Sequence, residues 1–163
     1  MRGVLSFPNP VNERTARVVA AVVAAIGVAT LASGVWWLLL PLAYGFWARV
    51  LTGPKLSPLG WAAQNLIAPR LGPKKLVPGP PKRFAQGMGA VMSTVALLLG
   101  LVAAVHVAAE ALLALLVAAA TLESVFGYCL GCKAFALLMR VGLVPQSVCA
   151  ECADVGARLG VAR

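Results

Sequence analysis

Two Cys-x-x-Cys pairs, Cys129-Leu130-Gly131-Cys132 and Cys149-Ala150-Glu151-Cys152, hold all four cysteines of this 163-residue chain, and sixteen residues lie between them. Thiolates at this spacing suit two chemistries. Four of them can hold Zn²⁺ tetrahedrally, since structural zinc sites place about two residues within each pair and roughly fifteen to twenty between pairs. Gly131 would then permit the tight backbone turn of a metal knuckle. Alternatively the pairs are dithiols. Cys129 or Cys132 then attacks a disulfide or accepts a sulfane sulfur, and Cys149 and Cys152 resolve the product or pass electrons on. The stretch from Lys133 to Val141 reads as a short, largely apolar helix with Cys132 at its N-terminus beside Lys133, and both the helix dipole and the cation favour thiolate. An apolar helical segment between the pairs, in place of the polar hairpin of a soluble zinc ribbon, weighs against the metal and toward thiol chemistry. No cofactor is certain from the residues; Zn²⁺ is the alternative.

Glu123 precedes Cys129 by six residues, about 9 Å along a helix. An ionisable group inside an apolar run is costly and has a partner or a task. It either takes the Cys129 proton or pairs with Arg17, Arg49, Arg83 or Arg140. His106 and Glu110, four apart, make an incomplete metal site and read as a hydrated tip. With a single histidine, no Ser/His/Asp arrangement for nucleophilic hydrolysis can be assembled on one face of a membrane.

The elements that must position these residues are set by composition. Hydrophobic residues make up 61% of the chain and charged residues 12%, and the mean hydropathy is +0.89, which a soluble domain does not show. No charge lies between Val18 and Ala48, and only Glu110 and Glu123 lie between Phe84 and Phe126. Both stretches exceed the ~20 residues of one span. They predict an all-α, polytopic membrane protein with four transmembrane helices as two hairpins, near 13-32, 35-52, 83-103 and 107-127. The tips are expected at Ser33-Gly34 and between Val105 and Ala109, with Pro41 kinking the second helix. Residues 1-127 then form the transmembrane domain, and residues 128-163 a Cys-rich segment at the cytoplasmic face that includes a short interfacial helix. Small residues four apart on the third helix, Ala85, Gly89 and Ser93, allow close helix approach.

Four spans put all fourteen lysines and arginines on one side, whereas three would divide them. By the positive-inside rule both termini are cytoplasmic, in a bacterial inner membrane. The net charge of +9 then reflects basic loops beside anionic headgroups of the bilayer, and no pattern for nucleic acid is present. Asn12 reads as a helix N-cap with Glu13 in the first turn, in preference to a cleaved signal peptide. The connector 53-82 carries seven prolines, so it cannot be one helix; a short interfacial helix around Trp61 competes with an irregular loop. Transport needs a substrate path that four short helices with one buried acid offer only in a homo-oligomer.

Three stretches carry a likeness: Asn9-Pro10-Val11-Asn12-Glu13; Gly79-Pro80-Pro81-Lys82-Arg83-Phe84-Ala85-Gln86-Gly87; and Gly127-Tyr128-Cys129-Leu130-Gly131-Cys132 followed by Leu138-Met139-Arg140 and Pro145. Together they resemble a bacterial integral-membrane family catalogued as domain of unknown function 4395. That resemblance implies sulfur chemistry, with a thioredoxin-like protein or a sulfurtransferase as partner.

Overall fold

The computed structural model describes residues 7-103 and 105-149. Cys152 lies outside them. Asn12 opens helix α1 (Glu13–Ser33) as expected: its backbone is extended and its side-chain oxygen accepts the Arg14 N–H at 3.2 Å, satisfying a donor that a helix start leaves open. Gly34, in the left-handed conformation at φ 67°, ends α1 at the expected tip. A 3₁₀ turn over Trp36–Leu38 leads into α2 (Leu39–Thr52). Pro41 falls in the first turn of α2, where its missing N–H costs no intrahelical bond. The irregularity is therefore the turn before the helix, and not a kink within it.

The connector contains a short helix, α3 (Pro58–Ala62), whose N-cap Ser57 accepts the Gly60 N–H at 3.1 Å. A π turn (Ala63–Ile67) and a 3₁₀ turn (Ala68–Leu71) continue it. Trp61 faces outward while Ala63 and Ala68 are buried under the bundle, so the connector is folded. A two-residue ribbon ties it to the N-terminal segment: β1 (Val11–Asn12) pairs antiparallel with β2 (Leu76–Val77), Val11 opposite Val77.

Helix α4 (Gly79–Leu101) begins earlier than the expected residue 83, because Pro80 and Pro81 occupy its first turn, where proline is tolerated. Lys82 is therefore helical and buried. Helices α5 (His106–Phe126) and α6 (Leu130–Arg140) follow, and a 3₁₀ turn over Gln146–Cys149 closes the described chain. His106 stacks on Trp36 at 5.8 Å and, like Glu110, is exposed.

Among the described residues the regular structure is all helical apart from the ribbon. Helix α1 packs chiefly on α5, α2 on α4, and α4 on α5, so the order around the bundle is α1, α5, α4, α2. Of the two expected hairpins, α4–α5 packs along itself. The other is open: α1 and α2 are joined at Gly34 yet have different principal neighbours. Val23, Leu39, Phe46, Ala90 and Leu113 form the core between them. The small-residue stripe of α4 admits close neighbours, with Gly89 under the Phe46 ring and Ala85 against Gly131 of α6.

Three helices, α1, α4 and α5, are long and apolar enough to cross a membrane. Their outward residues, including Val28, Val91, Leu98, Leu115 and Phe126, are exposed hydrophobics, as lipid contact requires. Helix α2 has 14 residues; with the preceding 3₁₀ turn it spans about 27 Å, slightly less than a typical hydrocarbon core of about 30 Å.

Candidate functional site

The reversal from α5 to α6 takes three residues. Gly127 adopts φ 68° and donates its N–H to the Glu123 carbonyl at 3.0 Å, while Tyr128 N–H reaches Leu122 O at 3.2 Å, closing α5 with the paired bonds of a left-handed cap. From the neighbouring helix start, Arg17 donates to Ser124 O at 3.0 Å and Val125 O at 2.6 Å, placing a cation at the negative end of the α5 dipole. Cys129 is then the N-cap of α6, with extended backbone (φ −88°, ψ 103°) and its Sγ accepting the Cys132 N–H at 3.2 Å. This corrects the expected helix start at Lys133. The helix starts one residue after Cys129, so it is the Cys129 sulfur that sits where backbone donors and dipole converge, and Cys132 lies within the first turn. Lys133 is drawn over the Tyr128 ring, 5.4 Å from its centroid, and not onto a thiol.

The two thiols are free and unlike. A hydrogen bond from the Cys132 thiol holds Cys129 below the ordinary thiol value; burial and the Glu123 carboxylate push it up, and the Lys82 ammonium pulls it down. Cys132 is pushed well above the ordinary value because its proton is held in that bond and because it is buried. Of the two thiols, Cys129 is the one that more readily gives up its proton.

Glu123 is paired, as one of its two expected readings had it, but its partner is none of the four arginines. Lys82 Nζ lies 2.6 Å from Glu123 Oε1, with side-chain exposures of 8% and 15%. Counting Gly79-Pro80-Pro81 as loop hid Lys82; prolines in a first helical turn were the available signal. Glu123 and Cys129 line one small, mostly apolar cavity of about 170 Å³ between α1, α4 and α5. Gly131 is there for proximity. It is helical, not a knuckle turn, and a Cβ on it would stand 2.6 Å from Ala85 Cα. One helical turn on, Phe135 is buried against Phe84 at 5.6 Å.

Cys149 is buried and disulfide-bonded. Cys152 lies outside the described residues. Among the described residues no group of three or more histidine, cysteine or acidic side chains is gathered for a metal.

Three separate stretches meet at this end of the bundle. Asn9 Oδ1 accepts the Gly79 N–H at 2.8 Å, Lys82 reaches Glu123, and Ala85 abuts Gly131. A family model described as domain of unknown function 4395 matches residues 11-140. The chain belongs to that family. The match takes in Cys129 and Cys132 and stops before Cys149. Searches of curated proteins and of solved structures each gave no match.

Proposed function

We propose that this is a membrane-bound thiol–disulfide exchange or sulfur-relay protein in which Cys129 is the attacking thiolate. The observation that carries the reading is the Cys129 sulfur at the α6 N-cap, accepting the Cys132 N–H and a hydrogen bond from the Cys132 thiol. In exchange, the Cys129 thiolate attacks a partner disulfide, forming a mixed disulfide and expelling the partner's other sulfur as thiolate. The Cys132 thiol passes its proton to that leaving thiolate and then attacks Cys129 Sγ. The partner's second sulfur leaves as a thiolate that takes its proton from water, and Cys129–Cys132 is left as the disulfide. In relay, Cys129 takes the terminal sulfur of a persulfide donor and releases the donor thiol. Cys132 thus takes the resolving role that spacing alone gave to the second pair, and a thioredoxin-like protein or a sulfurtransferase is the partner class.

Cys129 of the reduced protein should be alkylated with a half-maximal rate at a pH below that of an ordinary thiol. Cys132→Ala removes the donor and should slow it about three- to tenfold at pH 7, with Cys132→Ser recovering part of the loss. Cys132→Ser should also accumulate a mixed disulfide with a thioredoxin-like protein, or a persulfide, whereas Cys149→Ser/Cys152→Ser should not. An unshifted profile, or one bound zinc per chain with no trapped adduct, overturns the assignment.

The topology we assign has four spans with both termini in the cytoplasm of a bacterial inner membrane. Arg17 meets the end of α5, and Arg49 and Arg83 bond between α2 and the start of α4, so these cations share one end of the bundle, which supports that orientation. Trp37, 65% exposed, suits the opposite interface, and a thinned bilayer accommodates the shorter α2. With native cysteines replaced, new cysteines at Gly34 and Ala108 should react with an impermeant reagent outside intact cells and one at Lys74 should not. The reverse pattern sinks the orientation.

A further inference from the structure

A second and larger cavity, about 520 Å³, opens beside the thiol site between the N-terminal segment, α1, the end of α2, the connector and the start of α4. Its polar lining includes Asn12, Thr15, Arg49, Lys74, Lys82 and Gln86, and no Asp or Glu lines it. Arg49 is 6% exposed and held in place. Its Nε donates to Gln86 Oε1 at 2.8 Å, its Nη1 to Ser57 Oγ at 3.2 Å, and its guanidinium lies 4.8 Å from the Phe46 ring centroid. Nη2 has no hydrogen-bond partner, nor has Thr15 Oγ1, and both atoms are buried. Leaving a buried donor unmet is unfavourable, more so when it is charged, yet the fold orients both residues on one cavity and provides no carboxylate there.

We propose that this cavity binds a small organic oxyanion, a carboxylate, sulfonate or phosphate with an apolar body, its oxygens accepting from Arg49 Nη2 and Thr15 Oγ1. The charge is met by a guanidinium that no described carboxylate pairs with at salt-bridge distance. Val19 and Ala68 supply apolar wall, and the volume is that of a small-molecule site. The anionic head of a lipid offers the same chemistry as a soluble ester. This site does not depend on the thiol reading: Lys82 and Gln86 line it, but neither cysteine does.

Calorimetry on the full chain in neutral detergent, with phenyl phosphate and inorganic phosphate as probes, tests the proposal. Phenyl phosphate should bind saturably at one site per chain and more tightly than inorganic phosphate, and Arg49→Met should weaken it at least about tenfold. Because Arg49→Met also breaks the bonds to Gln86 and Ser57, Ala16→Leu serves as the second variant. It fills the cavity without touching those bonds, and should abolish binding while the thermal transition stays in place. Vesicles containing phosphatidic acid distinguish the sources: competition with phenyl phosphate assigns a lipid head, and its absence a soluble anion. No saturable binding of any probe, or affinity unchanged in both variants, overturns the proposal. Cys129→Ser should bind as the native protein does, so failure here and failure of the thiol chemistry are told apart.

Discussion

Replacing Lys82 by Met, or Glu123 by Gln, should each cost about 3–5 kcal/mol of stability, because breaking a buried pair strands a charge without its partner. The side chains are 8% and 15% exposed and 2.6 Å apart, so water offers little compensation. Lys82→Met/Glu123→Leu, which removes both charges, should return close to native stability. Thermal unfolding of the four proteins in one detergent closes the cycle; single variants within about 1 kcal/mol of native would mean that the pair is hydrated. The same variants separate two roles for Glu123. Its carboxylate pushes the Cys129 thiol up and Lys82 pulls it down, so Glu123→Gln should speed alkylation at neutral pH and Lys82→Met should slow it. A base at position 123 would give the opposite result for Glu123→Gln.

Gly131→Val should be the other severe change. The added Cβ would meet Ala85 Cα at 2.6 Å, backbone that no rotamer change can move, so α6 must lift from α4. Overpacking of this kind costs about 1–3 kcal/mol, and the loss of the Phe135 contact with Phe84 adds to it. The expected readout is a lowered thermal transition together with faster reaction of Cys129 with a bulky maleimide, as its cover opens. Ala85→Gly should relieve only part of the strain of Gly131→Ala, because the Cα that the new methyl meets remains. If Gly131 instead served a metal knuckle, bound zinc would fall in step with the thiol changes.

The helices and their rough ends were legible because apolar runs, Asn12 and Gly34 are local signals. What sequence could not supply was neighbourhood. Glu123 needed a partner, and the charge pattern offered arginines; only the packing of α4 on α5 delivers Lys82, from a turn whose prolines read as loop. Lys133 beside Cys132 pointed to that thiol, yet α6 begins three residues before the expected Lys133, which gives the N-cap to Cys129. The cavity around Arg49 is assembled from five separated segments, and no spacing announces it.

The ring order α1, α5, α4, α2 has a consequence for biogenesis. When the ribosome has made only the first half, α1 and α2 are both in hand, but the chief neighbour of each is still unsynthesised. A half-molecule ending in the connector would therefore leave its Phe46 and Val23 faces uncovered, to be held by lipid or an insertion chaperone until α4 and α5 arrive. Two halves made in the same cell have reason to find each other, since the seams between them are larger than the seam within the first.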